Sequence, residues 1–102
     1  MAVSEAYLAR IRRAVRRSSD PEVDMEITDI IEECRADLIG LGVLKARAED
    51  ESDALILGAV RCFARWKFGL SGDNTNGNRE DYMQLRDELR KRVYYTCTSQ
   101  RE

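Results

Sequence analysis

The sequence predicts an all-α fold, a small bundle of about four helices. Apolar residues recur at helical spacing over long stretches, and strand-like alternation is absent before the C-terminal residues. The 102-residue chain contains a single proline. We expect a helical domain over residues 1–92, with a long polar loop between its third and fourth helices. An extended C-terminal arm is expected over residues 93–102.

The first predicted helix runs from about Glu5 to Arg17, with Ser4 as its N-cap. The segment SSDPE then ends it. One face is apolar, and the other is strongly basic. The basic face carries Arg10, Arg13 and Arg17, flanked by Arg12 and Arg16.

The second predicted helix has the most regular apolar pattern in the chain. Its stripe consists of Val23, Ile27, Ile30, Ile31, Cys34, Leu38 and Leu41. Acidic side chains fill the opposite face and suit the positive N-terminal end of a helix. We predict that Gly42 ends the helix in a left-handed conformation, with Val43 as the apolar contact of that cap.

The third predicted helix contains LILGAVRCFARWKFG and is apolar on nearly every face. A helix of that kind must be buried on all sides, so we expect it at the centre, covered by the other three. Ser52 is its predicted N-cap.

A polar loop, GLSGDNTNGN, follows and is longer than most helix connections. Asn78 is predicted to cap a fourth helix with Tyr82, Leu85, Leu89 and Val93 on its apolar stripe. The next residues, from Val93 to Thr98, favour extended chain, which predicts the arm.

Charge is segregated along the chain. Residues 1–17 carry a balance of +4, residues 18–53 a balance of −9, and the remainder +3. Such segregation indicates that basic and acidic patches face each other, within one chain or between neighbouring copies.

No residue pattern indicates catalysis, a cofactor or a metal. Histidine is absent, and no phosphate loop or nucleophile elbow occurs. Cys34, Cys62 and Cys97 lack metal-ligand spacing, which argues for free thiols in a reducing compartment. The longest apolar run, 54–60, is too short to span a bilayer, and no signal peptide is recognised. We therefore expect a protein that is cytosolic or assembles in a cytosol, without membrane contact.

Three segments resemble the phage head–tail connector (adaptor) proteins. DMEITDIIEECRADLIGLGV is similar to that family's opening motif, and ALILGAVRCFARWKFG to its following apolar helix. The spacing of Tyr82, Leu85 and Leu89 is similar to its closing helix. The resemblance covers about residues 8–93. The first helix is richer in arginine than the family pattern, and the C-terminal arm does not match that pattern.

The resemblance implies a structural virion protein located at the head–tail interface after assembly in the host cytoplasm. Such proteins form a ring, commonly of about twelve copies, although isolated subunits can be monomeric. The ring lies beneath the portal protein, extends the DNA channel, and receives the stopper or tail-completion protein. By position, the resemblance implies that residues 72–78 form a loop that faces the channel or the next subunit. Residues 93–102 would form the arm that docks on the portal.

The candidate contact residues for a neighbouring subunit or partner lie in three places. They are Arg10, Arg13 and Arg17 on the first helix, Asp73, Asn74 and Asn76 in the loop, and Tyr94 and Tyr95 in the arm. The alternative is a small helical DNA-binding or regulatory protein that acts through the Arg-rich helix. Arginine clusters bind phosphate well, but the acidic helix that follows would repel DNA.

Overall fold

In the computed structural model, which describes residues 3–68 and 75–96, all regular structure is helical. The elements are α1 (Glu5–Ala14), α2 (Pro21–Leu41), α3 (Lys45–Ala48), α4 (Ala54–Phe68), α5 (Thr75–Lys91) and α6 (Val93–Thr96). The all-α prediction is confirmed for these ranges. The four expected helices correspond to α1, α2, α4 and α5, and the short α3 and α6 were not expected.

The apolar helix α4 lies at the centre, as its composition requires. It packs against α1, α2 and α5. Ala54 and Lys67 are its only exposed positions. The core consists of side chains from all six helices, including Ile11, Val15, Ile27, Ile31, Cys34, Leu38, Ile56, Val60, Phe63, Tyr82, Leu89 and Tyr95. One chain therefore covers most of its own apolar helix.

Helix α1 begins as predicted and ends early. The Ser4 hydroxyl accepts a hydrogen bond from the Tyr7 amide. The helix stops at Ala14 because Arg16 takes a left-handed conformation with φ of 59°. The Arg16 amide then donates to the Arg13 carbonyl, and the Arg17 amide to the Arg12 carbonyl. These are the two hydrogen bonds of a Schellman cap, so the predicted end at Arg17 was three residues too late.

Helix α2 ends as its glycine predicts. Gly42 has φ of 123°, a conformation that glycine adopts without steric cost. The Val43 amide donates to the Leu38 carbonyl, and both side chains are buried. At the other end, Asp20 caps the helix and Pro21 occupies its first turn, where a missing N–H costs nothing.

Two predicted caps were wrong. The Asp53 carboxylate, not Ser52, accepts from the Ile56 amide at the start of α4. Ser52 instead donates its amide and hydroxyl to Asp50 in the preceding turn. Helix α5 already includes Thr75, so Asn78 lies in its first turn and not before it. Packing of α5 along α4 outweighs the weak helix propensity of this Asn/Gly stretch.

The expected extended arm is a helical turn over Val93–Thr96. The β preference of these residues is overridden by contacts with the body of the protein. The Leu44 amide donates to the Tyr95 carbonyl at 2.7 Å, and the Tyr95 side chain is buried. Residues 93–96 thus belong to the packed unit, while the rest of the predicted arm, 97–102, lies outside the described residues.

Candidate interaction surfaces

Helix α1 has the predicted basic face, and one of its arginines forms an ion pair within the chain. Arg10 and Arg13 are exposed on the helix, and Arg16 and Arg17 are exposed just beyond its end. Arg12 forms an ion pair with Asp24 of α2, with 2.8 Å between Nη1 and Oδ1. The three predicted contact arginines are therefore available on the surface.

Cations surround the C-terminal turn of α4. The Arg17 guanidinium lies 5.3 Å from the centroid of the Phe68 ring. The Lys67 ammonium lies 4.4 Å from the Trp66 ring, and Arg79 lies 5.8 Å from the same ring. Arg65 donates to the Ala14 carbonyl at the end of α1. The C-terminal ends of α1 and α4 therefore form one basic, aromatic-rich region.

The acidic face of α2 points outward. Its exposed carboxylates are Glu22, Glu26, Asp29, Glu32 and Glu33. Lys67 lies 3.7 Å from Glu33. Within residues 3–68 and 75–96, no ion pair engages the other four. Among the described residues, α2 thus presents negative charge, and α1 positive charge, that no ion pair compensates.

The two candidate tyrosines of the C-terminal segment have different surroundings. Tyr95 is buried, and its hydroxyl donates to the Asp53 carboxylate at 2.8 Å. Burial, and next the hydrogen bond to the Asp53 carboxylate, raise the pKa of Tyr95 to about 12. Tyr94 is 50% exposed, and the Arg47 guanidinium stacks 3.9 Å from its ring centroid. Only Tyr94 offers a ring to a partner.

The predicted loop contacts are mostly outside the described residues. This applies to Asp73 and Asn74. Asn76 lies in the first turn of α5. Of the expected loop 72–78, the last four residues are therefore helical.

Sequence reasoning missed a groove between α2, α4 and α5. It has a volume of about 440 Å³. Its floor is formed by the rings of Phe63, Trp66 and Tyr82, with centroids 4.9 to 6.3 Å apart. Met83 and the charged side chains of Glu33, Asp37, Lys67 and Arg86 complete the lining.

A chain of hydrogen bonds fixes one side of this groove. The buried Cys34 thiol donates to the Tyr82 hydroxyl at 3.7 Å. Tyr82 donates to Asp37 at 2.7 Å, and the Arg86 Nε donates to the same carboxylate oxygen at 2.8 Å. The groove is therefore pre-formed.

The pKa values around this chain follow from burial and charge. Burial tends to raise the pKa of Asp37, but the hydrogen bonds from Arg86 and Tyr82 outweigh it and hold the pKa low. Burial raises the pKa of Cys34 to about 12, in spite of its hydrogen bond with Tyr82. Burial and the neighbouring Cys34 also raise the pKa of Tyr82. At neutral pH the thiol stays protonated and is a poor nucleophile, which fits a structural role.

A second groove, of about 870 Å³, lies between the start of α1 and α3. Its carboxylates are engaged within the chain. Glu51 accepts from Ser4 and Arg35, Glu49 pairs with Lys45, and Asp50 accepts from Ser52. This groove is the polar junction that ties α1 to the 49–53 segment.

Neither a metal centre nor a membrane span is found in the part of the chain that the structure describes. There, no three His, Cys, Asp or Glu side chains are grouped so that they could hold a metal ion. No helix there has both the length and the apolar character that crossing a bilayer requires. No protein-family model, curated protein or solved structure matches this chain.

Proposed function

We propose that this chain is a structural virion protein, a head–tail connector that assembles as a ring beneath a portal protein. The ring would extend the DNA channel and receive the stopper or tail-completion protein. The role requires contacts with neighbouring copies and no reaction. The resemblance of residues 8–93 to the connector family motivates the proposal.

The observation that carries it is the pair of oppositely charged faces on one chain. Arg10 and Arg13 are exposed on α1, and Glu22, Glu26 and Asp29 on α2. None of the five takes part in an ion pair within the described ranges. Head-to-tail contacts between different patches close into a ring when the rotation permits. Two unlike, complementary patches are what such a contact needs.

Charge reversal on α1 tests this proposal. In Arg10→Glu/Arg13→Glu, the ring should be lost or its assembly on a portal strongly weakened, because like charges then meet across the interface. The fold should persist, since both side chains are exposed. Electron microscopy and sedimentation report assembly, and circular dichroism reports the fold.

The control is Arg90→Glu/Lys91→Glu, which reverses the same number of exposed charges at the end of α5. Both side chains pair with Asp87 of the same helix, so circular dichroism has to show that this variant also keeps its fold. It should assemble like the wild type. Unchanged assembly of the α1 variant would refute the charge pairing.

Nucleic acid is the competing partner for these arginines. Phosphate binding would show a steep dependence on salt concentration. The Arg12–Asp24 ion pair brings α2 and its acidic face next to α1, which disfavours DNA. We therefore expect only weak binding to duplex DNA, without sequence selectivity, in a titration at several salt concentrations.

A further inference from the structure

The C-terminal ends of α1 and α4 carry arginines that the chain itself does not neutralise. Arg16 and Arg17 are exposed directly after α1, and Arg79 is exposed near the start of α5. Within residues 3–68 and 75–96, none of these three guanidinium groups takes part in an ion pair. Lys67 of the same region does, because it lies 3.7 Å from Glu33. The positive surplus at this end of the molecule therefore belongs to the three arginines.

Two of these guanidinium groups lie against aromatic rings at the end of α4. The Arg17 Cζ is 5.3 Å from the centroid of the Phe68 ring, and the Arg79 Cζ is 5.8 Å from that of Trp66. A guanidinium over a ring keeps N–H groups available for a phosphate, which it can bind with two parallel hydrogen bonds. Trp66 and Phe68 belong to one turn of α4. The two cations thus flank a single helix end, about 10–12 Å wide with its side chains.

Arg16 adds an observation of a different kind. Its φ of 59° is a left-handed conformation that is sterically unfavourable for residues other than glycine. Its side chain makes no hydrogen bond, ion pair or ring contact with any other part of the chain that the structure describes. Unfavourable backbone conformations of this kind are concentrated at functional sites. An arginine at this position is explained if its side chain binds a ligand.

We propose that this end of the molecule, formed by Arg16, Arg17 and Arg79, binds the phosphate backbone of duplex DNA. DNA carries one negative charge per about 1.7 Å of its axis, so a surface as wide as a helix meets several phosphates. Contacts of this kind hold DNA without reading its sequence. The inference rests on the proposed function, in which DNA passes through the ring, and it names the surface that faces the DNA. Arg10 and Arg13 remain for the contact with the neighbouring subunit.

The nearest carboxylates along the chain reduce this charge but do not pair with it. Glu80 and Asp81 follow Arg79 in α5, and side chains one or two residues apart on a helix do not face each other. Asp20, three residues after Arg17, caps α2. A single subunit should therefore bind DNA weakly. The ring should bind more tightly, because several copies of the surface act together.

Fluorescence anisotropy of a labelled duplex of mixed sequence, titrated with the full chain at several salt concentrations, tests the inference. Each phosphate contact that is removed should lower the steepness of log K against log salt by about 0.9. For Arg17→Gln/Arg79→Gln we expect a decrease of about 1.8 and weaker binding. Arg10→Gln/Arg13→Gln removes the same charge from the α1 face and should keep the wild-type steepness. Absence of wild-type binding at low salt, or an equal decrease in both variants, would overturn the inference.

Arg16→Gly separates a binding role from a structural one. The change relieves the left-handed conformation and should leave the protein at least as stable as the wild type. It should also lower the steepness of the salt dependence by about 0.9, because one phosphate contact is lost. A variant that is more stable and binds DNA as the wild type does would refute the role of Arg16.

The two proposals fail in different ways. If rings form but neither the ring nor the single subunit binds duplex DNA, the DNA surface is refuted and the connector function stands. If DNA binding follows the arginine variants but no ring forms with or without a portal, the surface stands and the connector function is refuted. If Arg17→Gln/Arg79→Gln prevents ring assembly in the absence of DNA, the surface is a contact between copies and the inference is overturned.

Discussion

The Tyr82 hydroxyl of α5 donates a hydrogen bond of 2.7 Å to the Asp37 carboxylate of α2, across the C-terminal half of α4. Tyr82 is almost fully buried, and Arg86 donates to the same carboxylate. This pair joins the two long outer helices along one side of the groove between α2, α4 and α5. Its loss should weaken both the fold and the groove.

Tyr82→Phe removes that hydrogen bond while it keeps the ring in the core. It also leaves the Cys34 thiol without its acceptor. We expect a loss of about 1–2 kcal/mol in the free energy of unfolding, as for removal of one partner of a buried hydrogen bond. Urea denaturation measures it.

Tyr7→Phe is the matched control, because the buried Tyr7 hydroxyl makes no hydrogen bond within the described residues. The change should be neutral or stabilise the protein by up to about 1 kcal/mol. Equal destabilisation by both substitutions would contradict the roles assigned to the two hydroxyls.

Acid should weaken the Asp37 contact. The pKa of Asp37 is held below its usual value because the hydrogen bonds from Arg86 and Tyr82 outweigh burial. Because the pKa is lower in the folded state, the ionised Asp37 carboxylate contributes fully to folding stability above its unfolded-state pKa of about 3.9. It is then lost as the pH falls through the folded-state pKa.

Asp37→Asn should therefore flatten the decline of stability below about pH 4 relative to the wild type. Denaturation midpoints at a series of pH values report this. Gln84→Ala, at an exposed position on α5 that carries no charge, should decline in parallel with the wild type. A parallel decline of Asp37→Asn as well would show that Asp37 does not contribute.

Asp53 joins two elements, so its removal should cost more than that of a simple cap. Its carboxylate accepts from the Ile56 amide at the start of α4 and from the Tyr95 hydroxyl of α6. Asp53→Ala should lower stability by about 2–3 kcal/mol, because it removes a cap worth about 1 kcal/mol and leaves the buried Tyr95 hydroxyl without its acceptor. Hydrogen exchange should show faster opening of α6.

Ser52→Ala gives the comparison for the cap that the sequence alone predicted. Since Ser52 is exposed and donates only within its own turn, we expect a change within about 0.5 kcal/mol. A larger effect at Ser52 than at Asp53 would reverse the assignment of the cap.

Arg16 occupies a left-handed position that glycine adopts without steric cost. Arg16→Gly should stabilise the protein by roughly 0.5–1 kcal/mol. It relieves a side-chain clash of about 1–2 kcal/mol, but glycine also raises the conformational entropy of the unfolded chain, which offsets part of the gain. Thermal melting and urea denaturation measure the gain. Destabilisation by this change would show that the Arg16 side chain itself supports the structure.

Much of the helical content was predictable, because long helices carry their own periodicity. The stripe from Val23 to Leu41 and the Gly42 cap depend only on neighbouring residues, so α2 could be predicted almost completely. Helices α3 and α6 have four residues each, too few for a periodic pattern. The α6 turn depends on Leu44 and Asp53, which contact Tyr95 from more than forty residues away.

The groove was not predictable for the same reason. Asp37 and Tyr82 are 45 residues apart in the chain and meet only through the packing of α5. The sequence did contain one local signal, because Asp37 directly precedes the buried Leu38 at the edge of the apolar stripe. A carboxylate at that edge can be reached from another helix, and Tyr82 and Arg86 of α5 donate to it. Exposed charge on α1 could be predicted, but not the pairing of Arg12 with Asp24.

The mass of the assembled protein tests the central claim most directly. Native mass spectrometry of the full chain, alone and with a portal protein, determines the number of 11.7 kDa subunits. The connector proposal predicts one closed oligomer of fixed subunit number, visible as a ring by electron microscopy and lost in Arg10→Glu/Arg13→Glu. A chain that remains monomeric in both settings while it binds a specific DNA sequence would contradict the proposal.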